Sequence, residues 1–245
     1  MIKAFCTTCG SYHRLGTGNT IALGAKLVEK LERRKSIDLF TQAQKDAPTL
    51  FTNYLFGENR GKMFGLLECK DLQRKPAILY AFSGQYNGHW LVEGWVPPIF
   101  NVDDFSNMTF EREKQIKSLT RELEHTAVGE KKRLSLRAER KLLSQTLMKD
   151  IHSLYTLTNF RGQRQTVTQA FYGNNGIPTG TGDCCGPKLL NFAANNDLIP
   201  LGLTEFFWGR ATKSGSHQHG TYSTPCNEKC VPILGFMLCG LESKS

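Results

Sequence analysis

Two adjacent cysteines close a run of small residues and open an apolar segment in the stretch GTGDCCGPKLLNFAANN, residues 180–196. Gly180 and Gly182 permit a tight strand-to-helix turn. Leu189, Leu190 and Ala193 then recur at helical spacing, which predicts a helix from about residue 184. Asp183 is placed to act as its N-cap, and Pro187 falls in the first turn, where a missing N–H costs least. Cys184 and Cys185 therefore sit where unpaired backbone N–H groups and the helix dipole favour negative charge. A thiol in that place ionises more easily, and the thiolate is the form that binds metal or attacks a substrate.

The end of the chain offers partners for this thiol. LIPLGLTEFFWG reads as a buried strand ending at Gly209, followed by the polar loop RATKSGSHQHGTYST and a second cysteine-bearing helix start, PCNEKCVPILGFMLCGL. Strand alternation sends Phe206 and Trp208 to one face and Glu205 and Phe207 to the other. A strand between two helix starts can bring Cys184, Cys226 and Cys230 together. With His219, His217 or a water, they would make a four-coordinate zinc site. Buried free thiols are the alternative. Cys6 and Cys9 form a further Cys-x-x-Cys without a second pair at the usual interval. They are read as half of a zinc knuckle, as partners of the C-terminal thiols, or as part of a disordered terminus.

The remaining sequence frames an α+β protein. The first twenty residues read as loop, a helix follows from about Thr20 (Leu23, Leu27, Val28, Leu31), and a second covers Ile37 to Ala47. KMFGLLE, AILYAFSG and WLVEGWV read as an antiparallel β-meander that stops at Pro97-Pro98, carrying Trp90 and Trp95 against the helices. From Phe110 to Leu154 the composition turns highly charged. Ile116, Leu119 and Leu123 make one apolar seam and Leu136, Leu143, Leu147 and Leu154 another, with Gly129 between them, which predicts a protruding antiparallel helical hairpin. A strand is expected at Gln165 to Phe171. The organisation is then an N-terminal loop-and-helix segment (1–56), an α+β core of mixed sheet and helices (57–108 and 155–245), and the basic hairpin (109–154) inserted in it.

Charge narrows the partners. Lys and Arg number 31 against 22 Asp and Glu, a formal net charge of +9, so polyanions come first. Lys131, Lys132, Arg133 and Arg137 at the hairpin tip, with Lys188, are the candidate phosphate contacts. No apolar run approaches the ~20 residues that cross a membrane, and the N-terminus lacks the apolar core of a signal peptide. Cytoplasmic placement and reduced cysteines are expected.

Two resemblances extend this reading. A helix-start Cys, a strand, then Pro-Cys with another Cys a few residues on resembles the zinc nucleobase deaminases, in which metal activates water and a glutamate moves protons. Three residues separate Cys226 from Cys230 where that family has two, and Gly186 stands where its glutamate would be. Asp183 or Glu205 would have to serve as catalytic proton shuttle. The succession GKMFGLLE, YAFSG, VPPIF, charged hairpin, GTGDCCGPKLLNFA, PLGLTEFFWG and HGTYSTPCNEKCVPILGFMLCGL is similar, over residues 57–241, to the N-terminal extension of some bacterial RluA-family pseudouridine synthases. Gly180, Gly182, Asp183, Cys184, Pro187, Lys188, Glu205, Trp208, Gly209, His219, Cys226, Lys229 and Cys230 occupy motif positions. Cys185 stands where relatives carry a small residue, which makes Cys184 the better ligand candidate. The synthase domain is missing, and Gly16 in His13-Arg14-Leu15-Gly16 replaces the aspartate of the synthases' His-Arg-Leu-Asp motif.

Three functions follow as expectations. The first is a binding module that grips tRNA or rRNA and is linked to RNA modification, with zinc or thiols holding the C-terminal part. The alternative is a zinc-dependent nucleobase or nucleoside deaminase-like hydrolase with metal on Cys184, Cys226, Cys230 and His219. The third is thiol chemistry at Cys184 or Cys185, oriented by His217 or His219.

Overall fold

The computed structural model describes residues 1–41, 47–125, 129–173 and 176–244. Strands β1 (Ile2–Cys6) and β2 (Ser11–Leu15) open the chain as an antiparallel hairpin, followed by α1 (Thr20–Arg34). Strands β3 (Lys62–Lys70) and β4 (Pro76–Phe82) precede the long helices α2 (Val102–Glu124) and α3 (Glu130–Leu154). A short pair, β5 (Thr156–Thr158) and β6 (Arg164–Thr166), leads through α4 (Val167–Ala170) to α5 (Cys185–Asn195). The chain closes with β7 (Ile199–Trp208), β8 (Tyr222–Ser223) and α6 (Val231–Leu238). This is an α+β fold with antiparallel sheets.

The main sheet has the order β4-β3-β7-β8, every neighbouring pair antiparallel. β7 is buried along almost its whole length, as expected of a central strand covered on both faces. On one face α1 packs Leu27 and Leu31 onto Phe64, Phe206 and Trp95. On the other lies α5, whose Leu189 and Leu190 join Leu67 and Leu203, and α6 packs Ile233 and Leu234 into the same core from beside α5 and the N-terminal hairpin. Phe206 and Trp208 enter the α1 side, while Glu205 meets the start of α5, the alternation expected of the strand.

Several local expectations are revised. The first residues pair as a hairpin, because Ile2, Ala4 and Cys6 on one strand and His13 and Leu15 on the other are buried in alternation. WLVEGWV is not a strand. Gly94 takes φ +77 with its Cα against the Phe40 ring, and the resulting turn tucks Trp95 beneath α1, its indole N–H donating to Ile37 O at 2.8 Å. The place beside β3 belongs instead to the distant β7. Residues 37–41 are not helical; 42–46 lie outside the described residues. Gln165 to Phe171 divides into the end of β6 and α4, with Thr166 and Gln169 forming a capping box.

The helical hairpin is present and longer than its charged segment, because Asn101 caps α2 through hydrogen bonds to Asp103 N and Asp104 N. Arg112 and Asp150 pair across it, and Trp90 meets Phe100 and Phe105 edge to face at its base. Among the described residues, no helix is long and apolar enough to cross a membrane.

Candidate metal centre

Cys184 owes its position to a close approach of helix to sheet. Gly65 on β3 leaves room for α5: a Cβ there would lie 2.5 Å from Cys185 Cβ. The helix therefore starts directly against the strand. Its N-cap is Cys184, in extended conformation, and not Asp183. The next residue, Cys185, is fully buried and points its S–H at Met63 O, 3.3 Å away. Of the adjacent pair only Cys184 faces the later cysteines. Cys230 is the N-cap of α6 and Cys226 lies one turn before it, with Cys230 N donating to Cys226 O at 3.2 Å. The Cys226 and Cys230 sulfurs are 3.6 Å apart, and all three sulfurs lie within 4.8 Å of one another.

These thiols do not ionise alike. Hydrogen bonds from Cys184 and Cys230 hold the Cys226 thiol far below its ordinary value. Hydrogen bonding with Cys184 and then with Cys226 raises Cys230, and that with Cys226 brings Cys184 up to about 12. A metal cation is the partner that would let all three ionise together.

The three sulfurs open on a cavity of about 390 Å³ shared with Asp183, Glu205, His217 and Lys229. Glu205 is 4% exposed. Its Oε1 accepts the Gly186 N–H at 2.7 Å, and burial raises its carboxyl to about 7. Asp183 is set differently. Its Oδ1 accepts the Tyr155 hydroxyl proton at 2.7 Å. Burial raises its pKa, opposed by that hydrogen bond and by Lys188, Lys229 and Lys62.

No protein-family model, curated protein or solved structure matches this chain.

Two site expectations are corrected by position. His219 does not join the thiols: its Nδ1 accepts the Gly209 N–H at 3.1 Å, and its ring lies 4.3 Å from that of Trp208. Trp208 belongs to the α1 face of the sheet, so His219 is on the wrong side. His217 lines the cavity, its ring stacked on Phe207 and its Nδ1 buried without a hydrogen-bond partner, but the group of ligand atoms within 4.8 Å of one another comprises the three thiols without it. Lys188 cannot reach a phosphate. It is 1% exposed, donates to Phe82 O at 2.8 Å, and is lowered to about 8 by burial. Lys131, Lys132, Arg133 and Arg137 are exposed in the first turns of α3. Lys132 pairs with Glu122 at 2.7 Å, and Arg133 reaches Leu123 O at 3.4 Å. Residues 126–128 between the hairpin helices lie outside the described residues.

A second group able to hold a metal ion lies elsewhere: Cys6, Cys9, His13 and Cys239, their ligand atoms also within 4.8 Å of one another. The Cys6-x-x-Cys9 element was visible in sequence. His13, four residues further on, carried a spacing signal that extends it, whereas Cys239 had none. Burial opposes ionisation of Cys9, but hydrogen bonds with His13 and its neighbours bring that thiol down to about 6. A larger cleft of about 800 Å³ beside α3 offers, among the described residues, only Lys149 and His152 as ionisable lining groups, too few to compete with the cavity as a site.

Proposed function

We propose that the chain is a zinc-dependent hydrolase of the nucleobase-deaminase type, with Cys184, Cys226 and Cys230 as ligands and Glu205 as proton shuttle. The observation that carries this reading is the contact between Glu205 and Gly186. The deaminases place a glutamate two positions after the first ligand, on the helix. Here that position is Gly186, and a Cβ built on it would lie 3.4 Å from Glu205 Oε1. A carboxylate from β7 thus occupies the region that a side chain at 186 would enter.

The donor set fits the metal. Ligands about 2.3 Å from a common zinc stand roughly 3.8 Å apart in a tetrahedron, and the Cys226–Cys230 separation of 3.6 Å agrees. Three protein ligands leave one coordination position, the mark of a catalytic rather than structural site. Zinc bound there supplies Lewis-acid activation of water.

The chain's own groups account for the rest of the chemistry. The carboxylate oxygen of Glu205 not engaged by Gly186 takes a proton from water and returns it to the departing nitrogen. Water's oxygen bonds to the amino-bearing ring carbon, the carbon–nitrogen bond breaks, and ammonia leaves. Glu205 accepts from Gly186 through one oxygen, which leaves the other for both transfers. Asp183, held by Tyr155, and Lys229 give the cavity the polar groups that orient a planar heterocycle, and about 390 Å³ is within the range of small-ligand sites. The eight unpaired thiols accord with a reducing, cytoplasmic setting.

Ammonia release tests this reading. Zinc-loaded protein is incubated with a panel of amino-bearing bases, nucleosides and RNA. Release that disappears in Glu205→Gln protein retaining its zinc supports it; no release from any of them counts against it.

A second reading rests on the exposed Lys131, Arg133 and Arg137 and the net charge of +9: an RNA-associated module, linked to RNA modification, that contacts tRNA or rRNA through the hairpin. Filter binding across a salt series decides it, since phosphate contacts must weaken as salt rises. The two readings are compatible if the base acted on is carried by RNA.

A further inference from the structure

We infer that Cys6, Cys9, His13 and Cys239 form a second, closed zinc centre of structural role, fastening the N-terminal hairpin to the C-terminal end of α6. The inference stands whether or not the cavity is catalytic, because it draws on different residues.

The hairpin turn presents two sulfurs at once. Gly10, at φ +71, lets the chain reverse directly after Cys9, with Gly10 N donating to Cys6 O at 2.9 Å. Cys6 is buried and Cys9 partly so. The β2 pattern turns His13 inward with Leu15, leaving Ser11, Tyr12 and Arg14 outside. Cys239, the C-cap of α6, supplies the third sulfur. Three sulfurs and one imidazole fill a tetrahedral shell, and a full shell of protein ligands leaves no position for a substrate.

His13 carries the second, independent sign of a ligand. It is 5% exposed, and its Nδ1 donates to the Glu242 carboxylate at 2.9 and 3.0 Å. That hydrogen bond sets the ring's orientation, with Nε2 facing the sulfurs, 3.1 Å from Cys9 Sγ. A carboxylate behind a histidine is the arrangement that orients metal-bound imidazole. The pair spans 229 positions of sequence, so it ties one end of the chain to the other.

The helix and hairpin are also shaped for each other at backbone level. A Cβ on Gly235 of α6 would lie 1.8 Å from Phe5 O, so only glycine allows β1 to lie against the helix. That contact holds Cys6 and Cys239 in reach of one ion. An ion bound there would add its binding free energy to the folding free energy of the junction.

The test uses Cys226→Ser protein, in which the cavity centre is disabled and any remaining metal must lie elsewhere. The proposal expects one zinc per chain by elemental analysis and a thiolate-rich tetrahedral spectrum on replacement with cobalt(II). Adding Cys9→Ser should remove that ion. A Cys226→Ser protein free of zinc, or one whose zinc survives Cys9→Ser, overturns the proposal. Should the double variant fail to fold, Glu242→Gln in the Cys226→Ser background carries the test. It should weaken zinc about 10- to 100-fold in chelator competition, and unchanged affinity overturns the proposal. Chelation should raise hydrogen exchange across residues 2–15, and unaltered exchange would contradict the structural role. One zinc in both wild-type and Cys226→Ser protein would leave this centre standing and remove the catalytic one.

Discussion

Cys230 and Cys239 mark the two ends of a single eight-residue helix: Cys230 is the N-cap of α6 and Cys239 its C-cap. The helix therefore carries one ligand of each candidate centre, and its seat against the N-terminal hairpin fixes both. Gly235 sits between them in contact with Phe5 O. Gly235→Ala should force hairpin and helix apart, lower stability by roughly 1–3 kcal/mol as overpacked sites do, and weaken zinc at both ends in chelator competition. Gly16→Ala, at an exposed position where a Cβ meets only Gly18 N at 3.9 Å, is the control. Denaturant unfolding of the two variants checks the difference.

Adjacent cysteines should behave oppositely. Cys184→Ala should lose the cavity metal with the fold intact, because its sulfur belongs to the three-thiol group. Cys185→Ala should keep the metal and lose stability by about 1 kcal/mol, since its sulfur is buried against β3 and donates to Met63 O. Zinc content measured beside unfolding free energy separates the two effects.

Glu205 predicts a pH dependence of stability in chelator-treated protein. Its folded value is about 7 against an ordinary 4.5, so the folded state binds more protons between these values and stability falls as pH rises through that window. Below pH 4.5 both states are protonated and the group contributes nothing. Above about 7 the penalty is complete, about 3 kcal/mol. Glu205→Gln, whose amide oxygen can still accept from Gly186 N–H, should therefore be the more stable protein at pH 8 and equal to wild type at pH 4. Urea titrations at the two pH values test the sign.

The lysines should separate as well. Lys188→Met should leave RNA affinity unchanged, because the side chain is enclosed beneath Phe82. Lys131→Ala with Arg137→Ala should lower affinity and reduce the slope of log K against log salt by about 0.9 for each phosphate no longer neutralised, if the RNA is duplex. Equal slopes in wild-type and double-variant protein would remove the hairpin from the RNA reading.

What was legible in the sequence follows from range. The helical periods of α1 and the hairpin are written locally, as is the alternation that sends Glu205 and Trp208 to opposite faces of β7. Cys184, Cys226 and Cys230 could be grouped because both helix starts flank one strand. Cys239 carried no such signal, since nothing local says that the two ends of the chain meet, whereas His13 lay at a spacing that extends Cys6 and Cys9. Lys188 reads as a surface cation until the strand carbonyl above it is known. His219 and His217 differ by two residues, and only the path of the loop decides which one faces the cavity. WLVEGWV has strand composition, yet Gly94 and the fit of Trp95 under α1 turn it into a bend.

Zinc content of wild-type and Cys226→Ser protein, purified without chelator and measured side by side, tests the central claim most directly. Two ions per chain falling to one is the predicted result. Equal zinc in the two proteins would show that Cys184, Cys226 and Cys230 hold no metal, and the hydrolase reading would go with it.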